Sequence, residues 1–81
     1  LTLMKTALHK RVRQRFFVTP KSGLNFDGVL VSHDRSDSGY QVYDDVTAYP
    51  PDAAPEKVKG LTYIRHSNVA YVQELPPNVD D

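Results

Sequence analysis

Apolar residues along this chain keep two different periods, and the change falls near Val12. Leu1, Met4, Leu8 and Val12 recur at helical spacing, with Thr2 placed as a cap, which predicts a short helix over 2–11. A helix of that length is marginal in water, so its apolar stripe must pack on something. From Val12 the period is two: Val12, Gln14, Phe16 and Val18 alternate with Arg13, Arg15 and Phe17, a first strand. Thr19-Pro20-Lys21-Ser22-Gly23 turns the chain, because proline presets one backbone angle and glycine reaches conformations other residues resist. A second strand, Asn25 to His33, alternates Phe26, Gly28 and Leu30 against Asp27, Val29 and Val31, and its inner glycine marks a bend or a close backbone approach.

Asp34 to Gly39 reads as a polar loop, followed by a third strand from Tyr40 to Val46. Tyr40, Val42 and Val46 fall on one side of it and Gln41, Tyr43 and Asp45 on the other, which leaves Asp44 on an apolar side that a burial reading must explain. Pro50, Pro51 and Pro55 remove ladder donors, so Tyr49 to Pro55 reads as a connector. Two strands, about Lys59 to Arg65 and Val69 to Leu75, close the pattern around His66-Ser67-Asn68. The whole predicts an all-β small barrel: a short N-terminal helix, then a strongly bent five-stranded antiparallel sheet. Residues 1–75 form the domain, and 76–81 an acidic, flexible tail.

With 81 residues, such a domain buries only about 60% of its unfolded surface and gains from assembly. The net charge of zero conceals a division. Lys5, Lys10, Arg11, Arg13, Arg15 and Lys21 stand without an acid in residues 1–21, whereas residues 22–81 hold four bases against ten acids. Three uses of that basic arm stay open: contact with nucleic-acid phosphates, docking on the acidic body of a neighbouring subunit, and a solvated face. No cysteine is present, and His9, His33 and His66 lack ligand-like spacing, so neither a metal nor another cofactor is expected. No apolar run reaches the roughly 20 residues a bilayer needs, and Leu1 to Leu8, interrupted by Lys5, lacks a signal core. A cytoplasmic protein, or one of viral origin such as a phage component, is the expectation. Catalysis has little to stand on: there is no Gly-x-Ser-x-Gly, no phosphate-cradling glycine loop and no His-Glu-x-x-His, and Asp44 and Asp45, adjacent in a strand, point to opposite faces.

The stretch from Gly60 to Val72, through Ile64-Arg65-His66-Ser67-Asn68-Val69, resembles the second signature of the Sm and Sm-like family, with His66 in place of the usual glycine. Upstream, Gly23-Leu24-Asn25-Phe26-Asp27-Gly28-Val29-Leu30 followed by Asp34 resembles the first signature, and a small insertion follows between Arg35 and Gln41. The resemblance implies a helix-capped, bent five-stranded barrel that assembles with itself into a ring of about five to seven subunits, each contributing a strand edge to the next. It implies that the pore-side loops bind single-stranded, uridine-rich RNA, with Asp34, Tyr40, Arg65, His66 and Asn68 as the binding residues and Tyr40 or His66 as the stacking ring. Leu61, Tyr63, Val69 and Tyr71 fall on the two edge strands and are the expected oligomer interface. The alternative reading is a structural ring or assembly module with little RNA affinity. In that reading Arg65 holds the turn through Asp34 or Asp45, and Asn68 occupies a left-handed turn position.

Overall fold

A computed structural model describes residues 13–34, 36 and 39–76. The helix expected over 2–11 and the tail beyond residue 76 lie outside the described residues. Six strands follow in order: β1 (Arg15–Pro20), β2 (Asn25–His33), β3 (Tyr40–Tyr49), β4 (Glu56–Lys57), β5 (Thr62–Arg65) and β6 (Val69–Glu74), with a 3-10 turn at His66–Asn68 between the last two. The first strand starts later than the alternation from Val12 implies. Arg13 sits at φ 80°, a left-handed angle outside the extended range of a regular strand, and its N–H reaches the Leu30 carbonyl. The third strand runs three residues past Val46. The proline segment then turns back to pair Glu56 and Lys57 with Ala48 and Thr47, a two-residue strand too short to leave a sequence signal.

All pairings are antiparallel, in the order β4-β3-β2-β1-β6, with β5 beside the first half of β3. Bulges bend this sheet into an open barrel. Asp27 pairs with Thr47 and Val29 with Asp44, so β3 carries one more residue than β2 opposite Gly28. An extra residue reverses the inside-outside alternation beyond it. That settles the Asp44 anomaly and corrects the expected faces: Gln41, Tyr43 and Val46 point inward, while Asp44 and Asp45 are exposed and Asp45 takes φ 54°. A second irregularity between Leu30 and Ser32 and a third at Thr19/Pro20 against β6 add to the curvature.

Gly28 lies against the first bulge. A Cβ there would stand 2.8 Å from Val46 Cγ2 and 3.0 Å from the Asp44 carbonyl oxygen, so only glycine lets β3 cross so closely. Gly28→Ala should lower stability by about 1–3 kcal/mol, the cost of overpacking a tight contact, read from the urea midpoint.

Side chains pin the same bulge from outside. Arg15 Nη1 donates to Asp27 Oδ1 at 3.0 Å and its Nη2 to the Asp45 carboxylate, which Lys57 also engages, while the Tyr49 hydroxyl donates to Asp27 Oδ2 at 2.6 Å. The hydrogen bonds from Lys57 and then Arg15 hold the Asp45 carboxyl below its ordinary value of 3.8. A carboxylate depressed in the folded state stabilises the fold above its unfolded pKa, and that contribution disappears as pH falls through the folded one. Stability should therefore decline on acidification below about pH 4, and Asp45→Asn should flatten that part of the profile in pH-dependent urea melts.

Inside lie Phe16, Val18, Phe26, Leu30, Tyr43, Val46, Ile64 and Val69, with Phe26 and Tyr43 packed edge to face at 5.3 Å. Among the described residues, β5 pairs with β3 alone and β6 with β1 alone, so each offers its second edge outward. The 3-10 turn crosses from one edge to the other. The His66 N–H bonds the Gly39 carbonyl at one end, and the Asn68 carbonyl accepts from Lys21 N–H at the other.

Candidate functional site

Tyr40 and Arg65 face each other across β3 and β5 as the last register pair of that ladder. The pairing places the Arg65 guanidinium over the Tyr40 ring, 4.8 Å from its centre, and the Tyr63 ring stands edge-on to Tyr40 at 6.1 Å. Side chains two apart on a strand share a face, so Tyr63 and Arg65 project together, and Tyr63 is 62% exposed. The result is a surface cluster of two tyrosines and an arginine, groups that stack on flat rings and attract phosphate. Tyr63 was expected at the oligomer interface, and its place beside Tyr40 is visible only once register is known.

Asp34 stands at the end of β2. Its N–H donates to the Tyr40 carbonyl at 3.0 Å, and its Oδ1 accepts the Ser36 N–H at 2.9 Å. That backbone hydrogen bond, foremost among several causes, lowers the Asp34 carboxyl below its ordinary value, so near neutral pH the group carries a negative charge. Gly39 packs onto it: a Cβ on Gly39 would lie 2.5 Å from Asp34 Cβ, which ties the two ends of the β2–β3 connection together.

His66 and Asn68 do other work. His66 is 5% exposed, its Nδ1 3.0 Å from Gln41 Nε2 and its Nε2 bonded to the Asp34 carbonyl, with the His33 ring packed edge-on at 4.7 Å. A ring so enclosed offers no face to a base, so of the two expected stacking rings the geometry presents Tyr40. The Asn68 amide faces the β1–β2 turn, accepting Ser22 N–H at 3.1 Å and donating to the Ser22 carbonyl at 3.0 Å. It straps that turn to the barrel, and it is absent from the left-handed residues Arg13 and Asp45. Asn68→Ala should loosen this strap and lower stability by about 1–3 kcal/mol, seen in the thermal midpoint.

Of the expected interface residues, Leu61, Tyr63 and Tyr71 are exposed at 51%, 62% and 58%. Val69 is a correction: it is 1% exposed and belongs to the subunit's own core, because the β6 bulge at Ala70 turns Val69 inward and Tyr71 outward. Beside the β5 edge, Leu24, Phe26, Val46, Val58, Tyr63 and Ile64 line an open, mainly apolar cavity of about 360 Å³. Sequence reasoning missed Gln41, which is fully buried against His66 and Tyr43, because the alternation put it on the side of β3 that ends in Asp45. Among the described residues, no group of three His, Asp or Glu side chains converges to hold a metal ion.

No protein-family model and no curated protein matches the chain. Solved structures do. The SmAP1 heptamer of P. aerophilum is 19% identical, with a TM-score of 0.72 over 89% of this chain and 92% of that one. A heptameric archaeal Sm protein is 20% identical, with a TM-score of 0.71 over 88% and 98%. The Sm protein of Pyrococcus abyssii in complex with a uridine heptamer is 21% identical, with a TM-score of 0.69 over 86% and 94%. The chain has the Sm-like fold: a bent, open antiparallel barrel whose two edge strands flank a short turn.

Proposed function

We propose that this chain assembles head to tail into a closed ring and that the ring binds single-stranded RNA through Tyr40 and Arg65. The observation that carries the RNA reading is the Arg65 guanidinium held over an exposed tyrosine at the mouth of the turn. Assembly is supported by the outward edges of β5 and β6, by exposed Leu61, Tyr63 and Tyr71 and by the apolar cavity beside them. Pairing one copy's β5 with the next copy's β6 satisfies backbone groups and covers apolar surface together, and a rotation that closes makes a ring. Two heptameric Sm structures of the same fold, and an Sm protein of that fold in complex with a uridine heptamer, lend the same support.

Residues 1–75 act as the ring-forming unit. Part of the basic arm is committed to the subunit, since Arg15 is engaged by Asp27 and Asp45. A second reading, a structural ring with little RNA affinity, draws on the enclosure of His66 and the commitment of Asn68 to Ser22. Titration of labelled oligouridine at two salt concentrations separates the two. The RNA reading expects binding that weakens with salt, with log affinity falling by about 0.7 per phosphate contact for each log unit of salt. No binding at low salt supports the structural ring.

A further inference from the structure

We infer that His66, supported from behind by Gln41 and Tyr43, is a positioning residue that holds Arg65 over Tyr40. The inference rests on the reading of Tyr40 and Arg65 as the RNA-contacting pair.

Four polar groups form one chain from the core to the turn: the Tyr43 hydroxyl bonds Gln41 Oε1 at 2.6 Å, Gln41 Nε2 meets His66 Nδ1 at 3.0 Å, and His66 Nε2 meets the Asp34 carbonyl. Its polarity follows from the outer end. A carbonyl oxygen only accepts, so Nε2 carries the ring proton, and in the neutral ring Nδ1 is then an acceptor. Gln41 must therefore present its NH2 to the ring, which turns its oxygen toward the Tyr43 hydroxyl. With the ring neutral, each member has its partner in one arrangement only. Burial of Gln41 and Tyr43 makes any other arrangement costly, and that same burial raises the Tyr43 pKa and keeps its proton on as a donor.

The chain ends where the binding pair needs support. Tyr40 and Arg65 are the terminal pair of the β3–β5 ladder, and terminal pairs fray unless tied down. Asp34 is the tie: its N–H holds the Tyr40 carbonyl, and its own carbonyl is held by His66. On the other strand the His66 N–H bonds Gly39, the residue before Tyr40, at 3.1 Å, while His66 itself follows Arg65. His66 thus fastens both backbones immediately beyond the pair, Gly39 through its own backbone N–H and Asp34 through its imidazole, and the Gln41 amide holds that ring from behind.

The test is Gln41→Met, close in volume but unable to donate to His66. Because it leaves the Tyr43 hydroxyl without its acceptor, Gln41→Met with Tyr43→Phe serves as the second variant, replacing both buried partners by apolar groups of similar shape. Two readouts apply to each. By NMR, the Arg65 side-chain protons of the unmodified protein should carry the upfield ring-current shift of the Tyr40 ring beneath them, and both variants should lose most of it. Oligouridine affinity should fall roughly fivefold to tenfold in both, the scale of one lost neutral hydrogen bond. In an Arg65→Ala background the same changes should cost nothing further, because the core groups act through the arginine. A merely structural Gln41 would lower the melting temperature and leave the ring-current shift and the affinity of the folded fraction unchanged, which would overturn the inference. If the unmodified protein binds no oligouridine, the RNA reading fails, and the Arg65 shift alone still decides whether His66 positions the pair.

Discussion

Val69→Asp should unfold the subunit, whereas Tyr71→Asp, two residues along the same strand, should leave it folded and break the ring. Val69 is 1% exposed among core side chains, and an unpaired carboxylate there costs several kcal/mol in desolvation besides the lost packing. A domain of this length has total stability of only about 4–12 kcal/mol, so the change consumes most or all of it. Tyr71 is 58% exposed on the outward side of β6, opposite Thr19, where a single subunit loses little by the substitution. In a ring the same position meets a neighbour, and a charge forced into that contact opposes assembly. Circular dichroism should show an unfolded Val69→Asp and a folded Tyr71→Asp, with light scattering placing Tyr71→Asp at monomer mass. A Tyr71→Asp variant that retains the unmodified mass would remove β6 from the interface.

Arg65→Ala should weaken oligouridine binding by about 1–3 kcal/mol, roughly five- to 150-fold, without changing the oligomer. In the proposed complex the arginine would contribute charge to a phosphate and a flat group beside the Tyr40 ring, and the substitution removes both together. Tyr40→Phe should bind nearly as well as the unmodified protein and Tyr40→Ala much less, since stacking uses the ring face and not the hydroxyl. Fluorescence anisotropy on short labelled oligouridine measures each. Equal binding by Arg65→Ala would move the RNA site elsewhere on the ring.

Much of the architecture was legible in the chain because period and punctuation carry it. β2 was bounded correctly at Asn25 and His33, and Gly28 was marked as a bend before the Cβ clash with Val46 explained why. Reading failed where one extra residue reverses a face. The bulge at Asp44 and Asp45 put Gln41, Tyr43 and Val46 together inside, and the one at Ala70 turned Val69 into the core, because alternation has no means of announcing an insertion. Site chemistry was half legible. Tyr40, Arg65 and Asp34 lie close along the end of one ladder, but Asn68 and His66 serve the turn itself, and only their hydrogen bonds to Ser22, Gln41 and Asp34 reveal it.

The most direct test of assembly is the mass of the unmodified protein in solution, measured by native mass spectrometry and by light scattering across a dilution series. A closed ring joined by β5 and β6 edges predicts one discrete species of about five to seven subunits that persists on dilution. A stable monomer at micromolar concentration, with the β5 and β6 edges open to solvent, would contradict it.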